Sequence, residues 1–203
     1  MCPANLAQIG QDRRYCPPPD APDDWQAPRA QASSARGRPR GTARSHRLPH
    51  RCRARSSLGI EASWLLHEAA LVLGDKDMLA RIEARVPSVV AAASEGFTPE
   101  GGMIYEKLGE EIDGDRHWWV QAEAVVGYFN LWEHFGAEEG LENALHCWEY
   151  IKAQIIDKEN GEWFWSVRAD GTVNRDDDKA GFWKCPYHNG RMCLEIIERT
   201  SSF

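Results

Sequence analysis

The chain has 203 residues, a net charge of −7 at pH 7 and 42% hydrophobic residues. This length is enough for one core of domain size. No apolar run approaches the roughly 20 residues that a membrane-spanning helix needs, and no secretory signal is visible. We therefore expect a cytoplasmic protein that neither spans nor binds a membrane.

The first 58 residues differ in composition from the rest of the chain. They hold eleven arginines, no lysine and four aspartates, a balance of +7, whereas the remainder has 13 basic and 27 acidic residues. Leu48 and Leu58 are the only large aliphatic or aromatic side chains between residues 27 and 58. Such a stretch cannot bury enough surface to offset the entropy lost on ordering. We predict a disordered Arg/Pro/Ala-rich arm over residues 1–58.

Three interpretations of this arm stay open. The positive run from Arg36 to Arg55 is typical of a tail for nucleic acid or an anionic membrane, but it lacks lysine and interleaved aromatic residues. Asp12, Asp20 and the absence of an apolar segment argue against a targeting peptide. The dominant residue types are those of GC-rich codons, as expected when such a gene is read out of frame. We favour this third interpretation and predict that the protein binds no nucleic acid.

Long helical stretches separated by short aromatic turns follow the arm. Apolar spacing and capping residues predict helices over residues 60–73, 75–94 with a kink at Pro87, 117–135, 141–156 and after Pro186. Residues 101–106 favour a short strand or an extended loop, and residues 161–167 with the turn at 169–171 are typical of a hairpin.

Such alternation of paired helices and short turns suits an α/α toroid, in which helix pairs ring a central pit. About five helices are too few to close the ring. We therefore predict an all-α fold, a partial (α/α)6 barrel with short β-hairpins over residues 59–203. An apolar flank should then be exposed, which favours poor solubility or association. The oligomeric state stays open.

The segment from Phe182 to Gly190 carries the clearest indication of a functional site. It places an indole, an imidazole and a phenol within six residues, at Trp183, His188 and Tyr187. Pro186 disfavours a helical conformation before it and permits a helix after it. His188 is therefore expected at a loop-to-helix junction, where it can face a cavity beside an aromatic ring that stacks on a ligand.

Metal and disulfide chemistry find no support in the sequence. Outside the arm, Cys147, Cys185 and Cys193 form no CxxC or CxH pattern. His134 and His146 have no partner at ligand spacing, and His67 and Glu61 do not share a helix face. We predict reduced cysteines, no metal site and no cofactor.

Four segments in order resemble the N-acylglucosamine 2-epimerase superfamily, in particular its cellobiose 2-epimerase branch. They are IEASWLL at 60–66, WWVQAEA at 118–124, GEWF at 161–164 and WKCPYHNGR at 183–191. The resemblance covers about residues 60–200 and corresponds to the C-terminal part of those (α/α)6 barrels.

The resemblance implies epimerisation at C2 of a reducing mono- or disaccharide through a cis-enediolate. Two histidines suit this chemistry because a carbon acid needs a base with a pKa near the working pH and an acid on the other face. His188 matches one catalytic histidine of the family. Trp183 is then expected to stack on the sugar, with Trp119 and Trp118 shaping the pocket. Glu61 and Glu123 match carboxylates near the sugar, although each also suits an ordinary helix position.

One departure from the family pattern bears on activity. The family carries His-Asp immediately before the first motif, and this histidine is the other catalytic one, whereas Leu58 and Gly59 stand here. His188 would then lack its partner for proton transfer. We expect a truncated or frame-disrupted epimerase with little or no activity.

Two other functions stay open. Glycoside hydrolases with (α/α)6 barrels use paired carboxylates, a role for which Glu61 and Glu123 are candidates. A noncatalytic sugar-binding fragment is the second. His117, next to the tryptophan pair, is a weaker candidate for lining the pit.

Overall fold

The computed structural model describes residues 56–108 and 111–201. The predicted arm lies outside these residues except for its last three, which are helical because the first helix, α1, spans Ser56–Leu73. Ser56 and Ser57 are both buried there. The first described helix therefore includes the last three residues that we assigned to the arm.

The predicted helix over residues 75–94 is two helices. α2 spans Lys76–Glu83, and the side chain of Asp75 caps it by accepting hydrogen bonds from the backbone N–H groups of Asp77 and Met78. α3 spans Val86–Ala93 and has Pro87 in its first turn. Because proline lacks a backbone N–H, it is tolerated in a first turn, so the expected kink is a helix start.

Short strands connect the helices. β1 (Glu106–Leu108) pairs antiparallel with β2 (Glu111–Asp113). β3 (Arg116–His117) pairs antiparallel with β4 (Ser166–Val167), which joins segments about fifty residues apart. The predicted hairpin turn at 169–171 is confirmed, since a β-bridge joins Val167 and Val173 across it.

α4 is the centre of the fold. It spans Trp118–Phe135, follows β3 directly and ends at Gly136, whose φ of 66° closes the helix with a hydrogen bond to the carbonyl of Trp132. Almost every side chain from Trp118 to Trp132 is buried. This burial follows from its neighbours, because α1 and α3 pack on it together with the two helices that follow it in the chain.

The last two helices complete the described fold. α5 spans Glu138–Tyr150 and continues as a π-helical turn over Ile151–Ile155. α6 spans Tyr187–Thr200 and begins directly after Pro186, as predicted. Both pack against α4.

Two of the helices expose large apolar side chains. Exposed large apolar side chains lie on α1 and α6, at Leu58, Leu66, Val72, Leu73, Leu194 and Ile197. The fold is all-α with short β-hairpins, and the described helices do not close a ring. None of these helices combines the length and apolar character that crossing a bilayer requires.

Gly127 determines how closely α1 and α4 approach. A Cβ atom at this position would lie 2.9 Å from Ile60 Cδ1 and 3.0 Å from the backbone oxygen of Ile60. The backbone of a packed helix cannot move aside at low cost. Gly127 is therefore required for the close packing of α1 on α4 at the centre of the core.

We expect Gly127→Ala to lower the free energy of unfolding by about 1–3 kcal/mol because of this overlap. Gly190→Ala in α6 is the matched control, since nothing lies within 4 Å of its added Cβ. The control should raise the free energy of unfolding by about 0.5–1 kcal/mol. Urea denaturation of both variants measures the two signs, and equal effects would contradict the close approach.

Candidate active site

Three helices bring Glu61, Glu123 and His188 together. Glu61 lies in the second turn of α1, Glu123 in the second turn of α4 and His188 in the first turn of α6. One side-chain oxygen or nitrogen of each lies within 4.8 Å of those of the other two. Residues predicted from three separate motifs thus converge at one end of the helices.

Glu123 is the buried acceptor at the centre of this cluster. Its side chain is 1% exposed. Oε2 accepts a hydrogen bond from Trp64 Nε1 at 2.9 Å, while Oε1 lies 2.7 Å from His188 Nδ1 and 2.6 Å from Arg191 Nη2. A buried carboxylate is costly unless it is paired and hydrogen-bonded. Glu123 meets both conditions through residues of α1 and α6.

Arg191 supplies the positive charge of the site. Its Nη2 also lies 3.3 Å from Glu61 Oε1, so one guanidinium contacts both carboxylates. The guanidinium carbon lies 4.9 Å from the ring centre of Trp64 and 4.5 Å from that of Tyr187, so it makes cation–π contacts with two aromatic rings. Burial alone would lower the pKa of Arg191, but the hydrogen bond and charge of Glu123 outweigh it and raise the pKa.

The sequence interpretation missed two of these contacts. Arg191 belonged to a recognised motif, and its position three residues after His188 puts both side chains on one face of α6. Trp64 likewise follows Glu61 by three residues on α1. Helical spacing therefore carried a signal for both residues, although their shared partner on α4 did not show in the sequence.

Two carboxylates and an imidazole this close also form a plausible metal-ligand set. Arg191 already contacts Glu61 and Glu123, and a metal ion there would have to displace or repel the guanidinium. We therefore assign the positive charge that balances this cluster to Arg191.

His188 has one nitrogen fixed by Glu123. A carboxylate only accepts hydrogen bonds, so Nδ1 carries the proton and donates it across 2.7 Å. In a neutral ring, Nε2 is then the nitrogen with the lone pair. The ring lies against Trp119 with 5.5 Å between centroids and near Trp118 at 6.5 Å, and its side chain is 22% exposed.

The predicted tryptophans occupy different environments. Trp119 is half-buried beside His188. Trp118 is buried and packs on Trp165 with 4.6 Å between ring centroids, so it supports the site from the core. Trp183 is 81% exposed and its ring contacts the neighbouring Phe182. Its stacking on a sugar stays a prediction.

The other histidines that the structure describes lie outside the cluster. His117 stacks on Tyr105 with 4.3 Å between ring centroids, and burial lowers its pKa against the opposing charges of Asp113, Asp115 and Asp177. His67 is a buried core residue whose Nδ1 lies 3.4 Å from Asn130 Oδ1. His67 therefore belongs to the core and not to the site.

Known proteins resemble this chain over the region that contains these site residues. The family model described as N-acylglucosamine 2-epimerase (GlcNAc 2-epimerase) matches residues 58–190, which include Glu61, Glu123 and His188. The chain belongs to the N-acylglucosamine 2-epimerase family. The resemblance inferred from four sequence segments is thereby confirmed, and Arg191 follows the matched region directly.

Among relatives within this family, cellobiose 2-epimerase of Bacteroides fragilis is 64% identical over 140 residues, which cover 68% of this chain and 36% of that protein. The Ruminococcus albus cellobiose 2-epimerase is 45% identical over 141 residues, 69% of this chain and 36% of that protein. The structure of cellobiose 2-epimerase from Spirochaeta thermophila superimposes with a TM-score of 0.67 at 33% identity, covering 73% of this chain and 38% of that one.

These comparisons bear on the fold and on length. The structural neighbours support the prediction of a partial α/α barrel. The chain spans about a third of the length of the curated relatives that it matches.

Removing the guanidinium should leave Glu123 as an uncompensated buried charge. We expect Arg191→Met to lower the free energy of unfolding by about 3 kcal/mol. Adding Glu123→Gln should recover a large part of this loss, because the amide removes the stranded charge. Denaturant unfolding of the two single variants and the double variant measures the coupling, and strictly additive effects would contradict the ion pair.

Proposed function

We propose that this chain carries part of the active site of a sugar 2-epimerase that acts on the reducing-end aldose of a mono- or disaccharide. The observation that supports this proposal most directly is the hydrogen bond of 2.7 Å between His188 Nδ1 and the buried Glu123 carboxylate. This hydrogen bond orients the imidazole of His188, and the chain belongs to a family of epimerases. In this proposal residues 59–203 form one part of an (α/α)6-barrel domain.

His188 acts in this proposal as the base at C2. Its Nε2 takes the C2 proton of the ring-opened sugar, and the electron pair of the broken C–H bond forms the C1–C2 double bond of a cis-enediolate. The negative charge moves to O1. Glu123 accepts from Nδ1 and so stabilises the imidazolium that forms. Return of a proton to the opposite face of C2 gives the epimer.

Trp119, Glu61 and Trp183 are proposed to hold the sugar. Trp119 lies beside the imidazole at 5.5 Å between ring centroids and offers an apolar face to a sugar ring. Glu61 is one-fifth exposed and retains acceptor capacity beyond its contact with Arg191. Trp183 is open for stacking because most of its surface is exposed.

Leu58 occupies the position at which the proposed reaction needs a second acid or base. It lies one turn before Glu61 on the same side of α1 and is 48% exposed. The family resemblance places the second catalytic histidine at this position. We propose that the chain as it stands exchanges the C2 proton of a sugar with solvent but returns it to the same face.

Hydrolysis fits the carboxylates less well. A glycoside hydrolase needs one carboxyl group as a proton donor and the other as a base or nucleophile. Both oxygens of Glu123 already accept hydrogen bonds, from Trp64 on one side and from His188 and Arg191 on the other. A carboxylate held in this way orients an imidazole more readily than it protonates a leaving group.

The first test is exchange of the C2 proton of cellobiose with D2O, followed by proton NMR. We expect slow loss of the C2–H signal with the parent chain, and a rate about a hundredfold lower with His188→Gln. His146→Gln is the matched control, because His146 is exposed on α5 away from the cluster. Equal exchange rates for the parent chain and His188→Gln would contradict the role of His188.

The second test restores an imidazole on α1. We expect Leu58→His to add formation of the C2 epimer to the exchange reaction, since a second acid then faces the same sugar carbon. Leu66→His is the control, because Leu66 is similarly exposed on α1 two turns further along. Chromatography of the product sugars measures the result. Epimer formation by the parent chain at the same rate as by Leu58→His would contradict the proposed deficiency.

A further inference from the structure

Glu162 has an unusual backbone conformation. It follows Gly161 in the loop between Ile156 and Trp163, two residues joined by a β-bridge, and its φ is 61°. Among the residues described, it is the only one other than glycine with a positive φ. Side chains other than Asn and Asp rarely adopt this conformation. The contacts of the Glu162 side chain account for a glutamate at this position.

The carboxylate of Glu162 holds both ends of the turn that carries His188. Oε1 accepts a hydrogen bond from Lys184 Nζ at 3.2 Å and from Asn189 Nδ2 at 3.1 Å. Lys184 lies four residues before His188, and Asn189 follows it directly. One oxygen atom therefore fixes the loop before Pro186 and the first turn of α6 together.

Lys184 is fully buried and its ammonium group is fully used. Its side chain is 0% exposed, and Nζ also donates to the carbonyl oxygens of Trp163 at 2.8 Å and Lys179 at 2.6 Å. Nζ lies 5.3 Å from the ring centre of Trp118, which packs near His188. Burial lowers the pKa of Lys184, and the hydrogen bond and charge of Glu162 oppose that shift. Glu162 is thus the carboxylate that pairs with this buried lysine.

The start of α6 lacks a side-chain cap from its own N-cap residue. Pro186 occupies the N-cap position and makes no side-chain cap hydrogen bond. His188 must nevertheless meet Glu123 at 2.7 Å, a distance that tolerates little displacement. The orientation of the first turn must therefore come from contacts with another segment.

We propose that Glu162 is a positioning residue: through Lys184 and Asn189 it fixes the loop and first turn that present His188 to Glu123. The role that it serves rests on the function proposed for His188. The contact itself is a property of the free protein, so it is measured without a sugar.

The Glu162→Gly variant separates the effect of losing the carboxylate from the effect of backbone strain. Glycine adopts a positive φ readily, so this variant relaxes the backbone while it removes the acceptor. We expect amide hydrogen exchange of Gly190, bonded to the Pro186 carbonyl, and of Gly181, bonded to that of Lys184, to accelerate about tenfold or more. Amides in the middle of α4 should change by less than about twofold.

The nitrogen-15 resonances of the His188 ring give a second readout. The parent chain should show a protonated Nδ1, and Glu162→Gly should show a mixture of the two tautomers because the bond to Glu123 loosens. Glu159→Gly is the matched control, since Glu159 is an exposed glutamate of the same loop and its loss changes charge equally. The control should leave both readouts unchanged. Glu162→Gln, which keeps an acceptor oxygen, should give an intermediate result.

Two results would overturn the positioning role. The first is unchanged exchange and unchanged ring resonances in Glu162→Gly. The second is equal acceleration of the α4 amides in both Glu162 variants, which would make the contact a general stabilising interaction. Loss of the sugar chemistry proposed for His188, with these signals as expected, would count against the proposed function and leave the contact of Glu162 in place.

Discussion

The buried carboxylate of Glu123 links stability to the candidate site. A charge in this environment is tolerated only when donors surround it, and its donors are Trp64 on α1 together with His188 and Arg191 on α6. The Glu123 carboxylate therefore has all its hydrogen-bond donors only when α1, α4 and α6 are correctly packed together. The same requirement assembles the imidazole that we propose to act on the sugar, so packing and chemistry depend on one group.

One cation serves both carboxylates of the cluster. The guanidinium of Arg191 contacts Glu61 and Glu123, and Glu123 also contacts His188. The same guanidinium also lies over the rings of Trp64 and Tyr187, at 4.9 Å and 4.5 Å from their centres.

Neighbouring residues of the last motif have opposite environments. Trp183 is largely exposed, whereas Lys184, the next residue, is completely buried. The loop thus presents an aromatic ring to solvent from a backbone that is anchored through Glu162. This arrangement suits a site in which a ring contacts a variable ligand while the adjacent imidazole keeps a fixed distance to its partner.

The sequence by itself determined most of the helices and the junction after Pro186, because apolar spacing and proline geometry are local properties. Glu61 and Glu123 were chosen through the resemblance of their motifs to the epimerase family, which also supported the choice of His188. The sequence placed a kink where the structure has a break at Pro87, since a helix start and a kink look alike in one segment. Only the tertiary structure decided that Arg191 reaches Glu123 and that Glu162 reaches Asn189. Those partners lie far apart in the chain, and they meet because the burial of α4 fixes where its neighbours pack.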